Sequence, residues 1–522
     1  MSFNIEKIRK GFPFFNEGPA SEGLIYFDSA ATTQKPLKML SKYVENTIHY
    51  NANVHRGVYS LAQKSTEEFE KTRQLLAQFL NWEETKDIVF TKGVTESANI
   101  VARSWGERHI QKDDLIVVSR MDHHSTFVPL QALAKKQGAR FEIVELGSDY
   151  RIQEEAFKKI LKKKPKLISF PHISNALGIE NDVFSLAVMA KKSGAMVMID
   201  GAQSLIHRKV DLKKWAPFVD FFMSSAHKFL GPTGMGFLWA KERTWLEMDP
   251  HFYGGDMIQE VSDEATTWND RPWYFEAGTP NIASVIAWGA SLEYLLSLNF
   301  EETAQYEKEL AIYLHACLKK IPGLKVYRHP DEIPSIPIIS FRVPGIHPTD
   351  LMSYLDQEKI CMRVGHHCVQ PLMRSLGIQG TLRVSLSFYN SLEEIDLFMR
   401  KLQEAINFFQ SRQKNKPNTS ESVFDESEFK EWLSSVEDPE MDMSLVDLGL
   451  IYSISKKEDT HHVLMTLTST GCPLADKIVS DVKGRLAQHS DVLKAEVKVT
   501  FQPKWNPQTM ASEEAKEILN IW

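Results

Sequence analysis

Short apolar runs separated by helical stretches fill the first half of this 522-residue chain. The clearest run covers residues 195–199, Ala-Met-Val-Met-Ile, and Asp200 follows it directly. A run that is apolar at every position is typical of a strand buried on both faces of a parallel sheet. Mainly apolar runs, which also indicate strands, lie at 88–91, 115–118, 141–144, 167–170 and 218–223. The alternation predicts an α/β fold, in which helices cover both faces of a mainly parallel sheet.

Two polar residues that follow neighbouring runs point to a cofactor. Asp200 ends one run, and Lys228 comes soon after the next, within Ser224-Ser225-Ala226-His227-Lys228. Ligands of such sheets bind beyond the C-terminal ends of the strands. Pyridoxal 5′-phosphate requires a lysine that holds it as a Schiff base and an acid that keeps its ring nitrogen protonated. Alone, the lysine would be interpreted as a solvated loop residue and the acid as a helix cap, so the prediction depends on the pair.

Three further positions fit the same cofactor. Gly93-Val94-Thr95 follows the run at 88–91 and opens a helix, which presents free backbone N–H groups to a phosphate. Ser225 and His227, beside the lysine, complete the predicted phosphate site. His123 follows the run at 115–118 and is placed to lie over the cofactor ring. A Gly-x-Thr helix start or a histidine at a strand end is more often structural when it occurs alone.

The length of the chain exceeds what one hydrophobic core supports. From residue 282 the pattern changes to longer helices and fewer strands, and residues 411–422 are almost without apolar side chains. The segment from Asp425 to Trp522 has 18 acidic and 10 basic residues, which sets it apart as an acidic body. We predict an N-terminal arm (1–20), a large domain (21–281), a small α+β domain (282–410), a linker (411–424) and a further small α+β domain (425–522).

Charge and cysteine content exclude several classes of protein. The net charge of −7 gives no electrostatic basis for binding nucleic acid or an anionic membrane. Four cysteines in so long a chain do not form a disulfide framework and indicate a reducing compartment. The sequence has neither the pattern of a signal peptide nor an apolar segment long enough for a membrane span. We therefore expect a cytoplasmic protein.

The motifs of residues 1 to 410 carry a specific resemblance. In order along the chain they are Asp28-Ser29-Ala30-Ala31, Val54-His55-Arg56-Gly57, Asp122-His123-His124, Ser174-Asn175-Ala176-Leu177-Gly178, Asp200-Gly201-Ala202-Gln203, His227-Lys228, Phe275-Glu276-Ala277-Gly278-Thr279-Pro280 and Arg363-Val364-Gly365-His366-His367-Cys368. This part of the chain resembles the SUF-type (type II, SufS-like) cysteine desulfurases. Members of that family are pyridoxal-phosphate enzymes of fold type I, which is the aspartate aminotransferase fold.

The resemblance implies a role for each matching residue. Lys228, Cys368 and His123 would be catalytic, and L-cysteine would be converted to L-alanine with the removed sulfur left as a persulfide on Cys368. The implied cofactor-binding residues are Thr95, His123, Asp200, Gln203, Ser225, His227, Lys228 and, from the second subunit of a homodimer, Thr279. The implied substrate-binding residues are Asn175, Arg363 and Arg383.

The segment around Cys368 is short, in contrast to the longer loop of type I enzymes. We therefore expect a separate acceptor protein, SufE- or SufU-like, to come to the persulfide. His366 and His367 are placed to lower the pKa of the thiol or to shuttle protons. A metal site at His366-His367-Cys368 is disfavoured, because adjacent side chains rarely converge on one ion. Val364 and Ala226 depart from the threonine and glycine that are usual in the family, and we expect them to alter loop packing only.

The last hundred residues resemble a second family. Val446-Asp447-Leu448-Gly449-Leu450, Ser469-Thr470-Gly471-Cys472-Pro473 and Pro503-Lys504-Trp505 are similar to motifs of the SufT/PaaD-like domains, which are implicated in iron–sulfur cluster maturation. Cys472 precedes a proline at a predicted helix start, where the helix dipole favours the thiolate. It is a candidate to hold iron, an iron–sulfur cluster or transferred sulfur, with iron–sulfur scaffold proteins as partners; a purely structural thiol is the alternative.

Two other functions remain open at the level of sequence. A selenocysteine lyase would use the same Lys228 and Asp200 chemistry, although it would not need Cys368. A non-catalytic scaffold could keep the fold and bind assembly partners. The scaffold has no reason to retain Lys228, Asp200, His123, Arg383 and Cys368 together, which favours the desulfurase.

Overall fold

A computed structural model describes residues 3–414, 426–439, 441–457, 460–468, 474–489, 492, 494–503 and 505–519. The chain divides into two compact units, Met1–Asn415 and Lys416–Trp522. Each unit has its own hydrophobic core and is described by itself.

The first unit alternates strands and helices along most of its length. Its strands are β1 (Ile25–Tyr26), β2 (Ile88–Thr91), β3 (Leu115–Ser119), β4 (Arg140–Val144), β5 (Leu167–Pro171), β6 (Met196–Asp200), β7 (Phe221–Ser225), β8 (Gly236–Ala240), β9 (Ile258–Val261), β10 (Thr266–Trp268), β11 (Lys325–Val326), β12 (Ile338–Arg342), β13 (Ile360–Cys361), β14 (Arg363–Gly365) and β15 (Thr381–Ser385). Its α-helices are α1 (Ile5–Arg9), α2 (Pro13–Asn16), α3 (Leu37–His49), α4 (Ser60–Phe79), α5 (Val94–Ile100), α6 (Glu107–His109), α7 (His124–Gln137), α8 (Glu154–Leu161), α9 (Val183–Lys192), α10 (Leu212–Trp215), α11 (Glu242–Trp245), α12 (Ile282–Ser297), α13 (Phe300–Lys319), α14 (Pro348–Gln357), α15 (Gln370–Ser375) and α16 (Leu392–Lys414).

A seven-stranded sheet with the order β2-β8-β7-β6-β5-β3-β4 forms the centre of the first unit. The strands from β7 to β4 in this order are parallel, and β8 is antiparallel to both of its neighbours. The prediction of a mainly parallel sheet is therefore confirmed. Because parallel strands end at one edge, the residues that follow β3, β6 and β7 lie close together.

The continuous apolar runs are explained by two cores, one on each face of this sheet. Along β3, Leu115 and Val117 belong to one core, whereas Ile116 and Val118 belong to the other. Successive side chains of a strand point to opposite faces, so a strand covered on both sides must be apolar throughout. The inner strand β3 shows this pattern, whereas the edge strand β4 (Arg140–Val144) carries Arg140 and Glu142 and is only partly buried.

A second, antiparallel sheet with the order β11-β12-β15-β14 supports the rest of the site. Arg363 on β14 and Arg383 on β15 are register partners, so both side chains start from neighbouring points of one sheet. Ile25 and Phe27 pack in the core of this sheet, because β1 pairs with β13. The predicted large domain began at residue 21, and in the structure the segment around β1 contributes to the smaller core instead.

Helix α16 continues to Lys414, although the predicted linker began at residue 411. Arginine, glutamine and lysine, which follow Ser411, are good helix formers even without apolar neighbours, and this explains the extension. The remainder of the predicted linker, 415–424, lies outside the described residues.

The second unit is a small α+β body. Its elements are α17 (Glu426–Leu433), β16 (Glu437–Asp438), β17 (Met443–Ser444), β18 (Ile451–Lys457), β19 (Thr460–Met465), α18 (Ala475–Leu486), β20 (Lys494–Val499), α19 (Pro507–Met510) and α20 (Glu513–Leu519). Its main sheet has the order β18-β19-β20, with β19 and β20 parallel. The prediction of a small α+β domain gave no indication of β18, whose polar serines and lysines interrupt the apolar pattern.

In the part of the chain that the structure describes, no single helix has both the length and the apolar character of a membrane span. The pair α12 and α13 meets those criteria only jointly, and the two helices are bent by 84° relative to each other. The same described ranges contain no cluster of three or more His, Cys, Asp or Glu side chains arranged to hold a metal ion.

Candidate active site

A cavity of about 230 Å³ lies at the C-terminal edge of the central sheet. Strands β3, β6 and β7 and the turn before α5 bring their polar ends to it, and the antiparallel sheet closes the opposite wall. Eleven of the predicted site residues line this one cavity: Thr95, His123, Asn175, Asp200, Gln203, Ser225, His227, Lys228, Arg363, Cys368 and Arg383. Residues that are up to 288 positions apart in the sequence therefore meet in one place.

Asp200 and Lys228 form the electrostatic centre of the cavity. The Asp200 carboxylate is buried and accepts the backbone N–H of Ala202 at 2.9 Å, and burial raises its pKa. Burial lowers the pKa of Lys228 to about 8, while Asp200 opposes the shift and Arg383 adds to it. A lysine with this pKa exchanges a proton readily near neutral pH, and the buried carboxylate suits a cationic ring nitrogen.

His123 is the N-cap residue of α7 and reaches the cavity wall. Its Nδ1 lies 2.7 Å from the Ser125 hydroxyl and 3.1 Å from the Ser125 backbone N–H. Burial, with the nearby Lys228 charge, lowers the pKa of His123 to about 3. The ring is therefore neutral, which suits a flat contact with an aromatic cofactor.

The turn that opens α5 forms a cradle beside the lysine. Gly93 has a φ of +143°, and a Cβ there would lie 3.0 Å from Ser225 Oγ. Ser225 Oγ in turn accepts the backbone N–H of Val94 at 3.0 Å. Thr95 and His227 line the same side of the cavity, and burial lowers the pKa of His227 to about 4. Hydroxyl groups, a neutral imidazole and space for close backbone approach fit a phosphate group.

These residues together fit the predicted pyridoxal phosphate. The cradle matches the phosphate, Asp200 matches the ring nitrogen and Lys228 is the single lysine on the wall of the cavity. The amide nitrogen of Gln203 donates to the carbonyl of Ala30 at 2.7 Å, which fixes this buried side chain at the cavity wall.

Two arginines share one carboxylate at the opposite wall. Arg383 donates to Asp28 at 2.7 Å and to the carbonyl of Asn175 at 3.0 Å, and Arg363 donates to Asp28 at 3.1 Å. Nε of Arg383 is buried and has no partner among the described residues. Both guanidinium groups line the cavity, and a guanidinium is well suited to bind a small carboxylate.

Cys368 reaches the cavity from a strained loop. The φ angles of Gly365, His367 and Cys368 are +118°, +51° and +56°. Left-handed conformations cost about 1–3 kcal/mol at each non-glycine residue, so neighbouring contacts must hold them. Asn175 supplies one contact by donating to the carbonyl of His367 at 2.7 Å.

The histidines beside Cys368 make hydrogen bonds that the sequence did not predict. His366 Nδ1 accepts the backbone N–H of Cys368 at 3.0 Å, and His367 Nε2 lies 2.8 Å from the Thr381 hydroxyl. Burial holds the pKa of His367 well below its ordinary value. A neutral His367 cannot lower the pKa of the thiol through a positive charge, and the described contacts of both imidazoles are with the backbone and a hydroxyl rather than with the sulfur.

Two predicted residues are not at this cavity in the single chain. Thr279 is exposed and is absent from the cavity wall, in agreement with its expected role across a subunit boundary, which stays a prediction. Cys472 lies outside the described residues.

Three residues near the site were assigned no role from the sequence. Asp28 joins the two arginines, and the backbone N–H of His124 donates to the carbonyl of Cys368 at 2.9 Å. Lys35 Nζ donates to the carbonyl of His227 at 2.9 Å, and burial lowers the pKa of Lys35 to about 7. Asp28 and His124 belong to motifs quoted above, but their contacts are made across the fold and leave no local signal.

Comparison with known proteins gives two family matches. The aminotransferase class-V family matches residues 25–398, and the family described as iron-sulfur cluster assembly protein matches residues 426–499. A probable cysteine desulfurase of Synechocystis sp. is 41% identical over 403 residues, which cover 77% of this chain and 96% of the relative. A cysteine desulfurase of Escherichia coli is 39% identical over 404 residues, which cover 77% of this chain and 98% of the relative.

Similar solved structures are also cysteine desulfurases. The E. coli cysteine desulfurase CsdA aligns with a TM-score of 0.72 and 32% identity, over 78% of this chain and 100% of the other. The apo cysteine desulfurase of Thermococcus onnurineus aligns with a TM-score of 0.73 and 36% identity, over 77% and 98%.

Proposed function

The chain belongs to the aminotransferase class-V family, and from that premise we propose that it is a pyridoxal-phosphate-dependent cysteine desulfurase. It converts L-cysteine to L-alanine and keeps the removed sulfur as a persulfide on Cys368. One observation carries the proposal: Cys368 lines the same cavity as Lys228, Asp200 and Arg383. The cavity that would hold the cofactor thus also holds a thiol that can act as a nucleophile.

Different residues of the cavity would bind different parts of the cofactor. Thr95, Ser225 and His227 would hold the phosphate, and Asp200 would keep the ring nitrogen protonated. Gln203 and His123 would bind the ring, and Thr279 of a second subunit would complete the phosphate site. When bound, pyridoxal phosphate supplies an electron-accepting ring that makes the Cα–H and Cβ–S bonds of cysteine easier to break.

The side chains around it bind the substrate and move its protons. Arg383 and Arg363 bind the carboxylate of L-cysteine, with Asn175 beside them. Lys228 Nζ, whose pKa is about 8, accepts the Cα proton as a general base.

Cys368 Sγ then attacks the substrate sulfur. The new S–S bond replaces the Cβ–S bond, and Cβ gains a proton, so L-cysteine and one thiol give L-alanine and one persulfide without an external oxidant.

A titration with L-cysteine tests the proposal. Wild-type protein, a Cys368→Ala variant and a matched Cys361→Ala control would be followed by cofactor absorbance and by alanine and sulfide release. Cys361 is also partly buried, but it lies outside the cavity. We expect alanine from wild type and from the Cys361 variant, and a loss of at least about 100-fold for Cys368→Ala. Activity that is indifferent to Cys368 would indicate a lyase, with selenocysteine as the first alternative substrate to assay.

We further propose that the enzyme is of the SUF type and passes its sulfur to a separate acceptor. The loop that carries Cys368 has only four residues between the end of β14 and the start of α15, which limits the reach of a persulfide. An acceptor of the SufE or SufU kind must therefore approach the cavity. Equal steady-state alanine formation with and without such an acceptor would contradict this step.

Residues 426–499 match a family described as iron-sulfur cluster assembly protein, and this match supports a role of the second unit in cluster assembly. We propose that its tether keeps it near the desulfurase, where it receives sulfur or holds iron–sulfur scaffold proteins. Cys472 is the proposed site for sulfur, iron or a cluster. A cytoplasmic location is proposed for the whole protein from its few cysteines.

A homodimer is the proposed assembly. Helix α3 exposes an apolar stripe at helical spacing, in which Val44 and Ile48 are 54% and 67% exposed. Leu37 and Leu40 extend the stripe toward the start of the helix, and all four are three or four positions apart. A second copy of the chain would cover this surface and bring Thr279 to its partner's cavity.

A further inference from the structure

The loop from Gly365 to Gln370 adopts a conformation that its own residues do not favour. His367 and Cys368 are consecutive non-glycine residues with positive φ, at +51° and +56°. Such residues stay in the left-handed region only where surrounding contacts over-determine them. The contacts that hold Cys368 therefore decide whether its thiol faces the cavity.

Two imidazoles supply these contacts on the Cys368 side of the loop. His366 Nδ1 accepts the backbone N–H of Cys368 at 3.0 Å. His124, at the start of α7, donates its backbone N–H to the carbonyl of Cys368 at 2.9 Å, and its Nε2 accepts the backbone N–H of Gln370 at 3.2 Å. The two rings lie 5.8 Å apart at an angle of 35°, so they form one cluster across the loop.

The two hydrogen bonds that end on a ring nitrogen require the neutral form of the imidazole. Each ring nitrogen faces a backbone N–H, so it must accept the hydrogen bond. A protonated imidazole carries N–H at both nitrogens and cannot accept. Protonation of either ring would replace an attraction with two opposed donors.

The surroundings of His124 do not favour a positive charge on its ring. His123 lies beside His124, with ring centres 6.3 Å apart, and Arg120 and Arg374 line the groove that His124 faces. On the other side the groups are Cys368 and the buried His367. Among the described residues no carboxylate lies within salt-bridge distance of either imidazole. Burial and the neighbouring His366 lower the pKa of His124.

We infer that His124 and His366 are positioning residues that hold the Cys368 loop in its cavity-facing conformation, and that they do so only while both imidazoles are neutral. The inference deepens the proposed desulfurase function and rests on it for its catalytic meaning. Its structural content is independent of that function, because it concerns two backbone N–H groups.

Isosteric variants provide the test. Asn at position 366 places Oδ1 where Nδ1 accepts, and Gln at position 124 places Oε1 where Nε2 accepts. His366→Asn and His124→Gln therefore keep the acceptors but cannot titrate, whereas His366→Ala and His124→Ala remove them. Hydrogen exchange of the 366–370 peptide, measured on the full-length protein with its cofactor bound, reports the Cys368 and Gln370 amides directly.

We expect the alanine variants to raise exchange of this peptide by about tenfold or more at pH 8, and the Asn and Gln variants to retain most of the protection. After correction for intrinsic exchange, lowering the pH from 8 to 5.5 should raise exchange in wild type and not in the His124→Gln/His366→Asn double variant. Wild-type protection in both alanine variants, or the same acid-dependent rise in the double variant, would overturn the inference.

A kinetic readout links the loop to the chemistry. The first turnover of alanine should fall at low pH in wild type more steeply than in the double variant, with little change in KM for L-cysteine. If the first-turnover rates of wild type and the double variant fell equally at low pH, the result would count against the inference. A wild-type protein that forms no alanine would contradict the proposed function instead, and the exchange experiment would still decide the role of the two histidines.

Discussion

Lys228 is held in surroundings that disfavour its charged form. Its pKa is about 8 in the folded protein and near 10.5 when the chain is unfolded. Between these values the unfolded state binds more protons, so this residue makes the free energy of unfolding rise with pH from about 8 to 10.5. Below pH 8 both states are protonated and the full penalty, about 3 kcal/mol, remains.

We therefore expect Lys228→Met to stabilise the cofactor-free protein at pH 7 by about 3 kcal/mol, with the gain shrinking toward pH 10.5. Urea unfolding of cofactor-free protein at pH 7 and pH 9.5 measures both values. Lys213→Met, at an exposed position, is the control and should change little at either pH. Equal stability of wild type and Lys228→Met at pH 7 would show that the lysine is not strained.

Arg383 combines a structural and a binding role in one guanidinium. Its two bonds, to Asp28 and to the carbonyl of Asn175, set the orientation of a side chain that is 2% exposed. Lysine carries the same charge but lacks the planar fork. We expect Arg383→Lys to raise KM for L-cysteine roughly 10- to 100-fold, which is the cost of one charge-assisted hydrogen bond. Steady-state kinetics beside Arg342→Lys, a partly buried residue outside the cavity, would test it; an unchanged KM would refute carboxylate binding.

At the scale of elements, the turn between β2 and α5 depends on glycine for two reasons. Gly93 has a φ of +143°, and the space that a Cβ would occupy is bounded by Ser225 Oγ at 3.0 Å. Gly194 also has a positive φ, +86°, but a Cβ at that position would have no atom within 4 Å. The two glycines therefore separate backbone strain from crowding of the phosphate cradle.

Gly93→Ala should weaken pyridoxal phosphate binding by about tenfold or more, because both the backbone and Ser225 must shift. Gly194→Ala should lower the free energy of unfolding about as much as Gly93→Ala does, because both replace a glycine with positive φ, but it should leave cofactor affinity unchanged. Absorbance titrations of the cofactor-free proteins give the dissociation constants. Equal cofactor affinities for the two variants would show that the cradle does not bind the phosphate.

At the scale of the whole molecule, each unit has its own buried core. A chain that ends at residue 414 should fold, bind its cofactor and form alanine within about twofold of the full-length rate. Loss of iron–sulfur client maturation in cells, with alanine formation intact, would assign that step to the second unit. Unchanged maturation would make the second unit dispensable, and an insoluble truncation would show that the units depend on each other.

The exposed stripe on α3 gives the last prediction. Val44→Glu together with Ile48→Glu should turn a dimer into a monomer, because two charges would enter a dry interface. Light scattering with size-exclusion chromatography measures the mass. Lys42→Glu, on the same helix, is the matched control. A wild-type monomer, or a double variant that stays dimeric, would contradict the proposed surface.

The sequence predicted the parallel core because burial on both faces demands apolar residues throughout inner strands such as β3. Asp200 and Lys228 could then be assigned to one site, because the strand ends of a parallel sheet meet at one edge. The motifs added Cys368 and the arginines, through the resemblance that they carry.

Other features were decided only by tertiary structure. Asp28 joins Arg363 to Arg383, and His124 joins α7 to the Cys368 loop, through contacts between residues 244 or more positions apart. The hydrogen bond that His366 Nδ1 accepts from the backbone N–H of Cys368 was likewise visible only in the structure. Hydrogen bonds of this kind depend on distance in space and on which ring nitrogen is free, and a linear pattern of residue types contains neither.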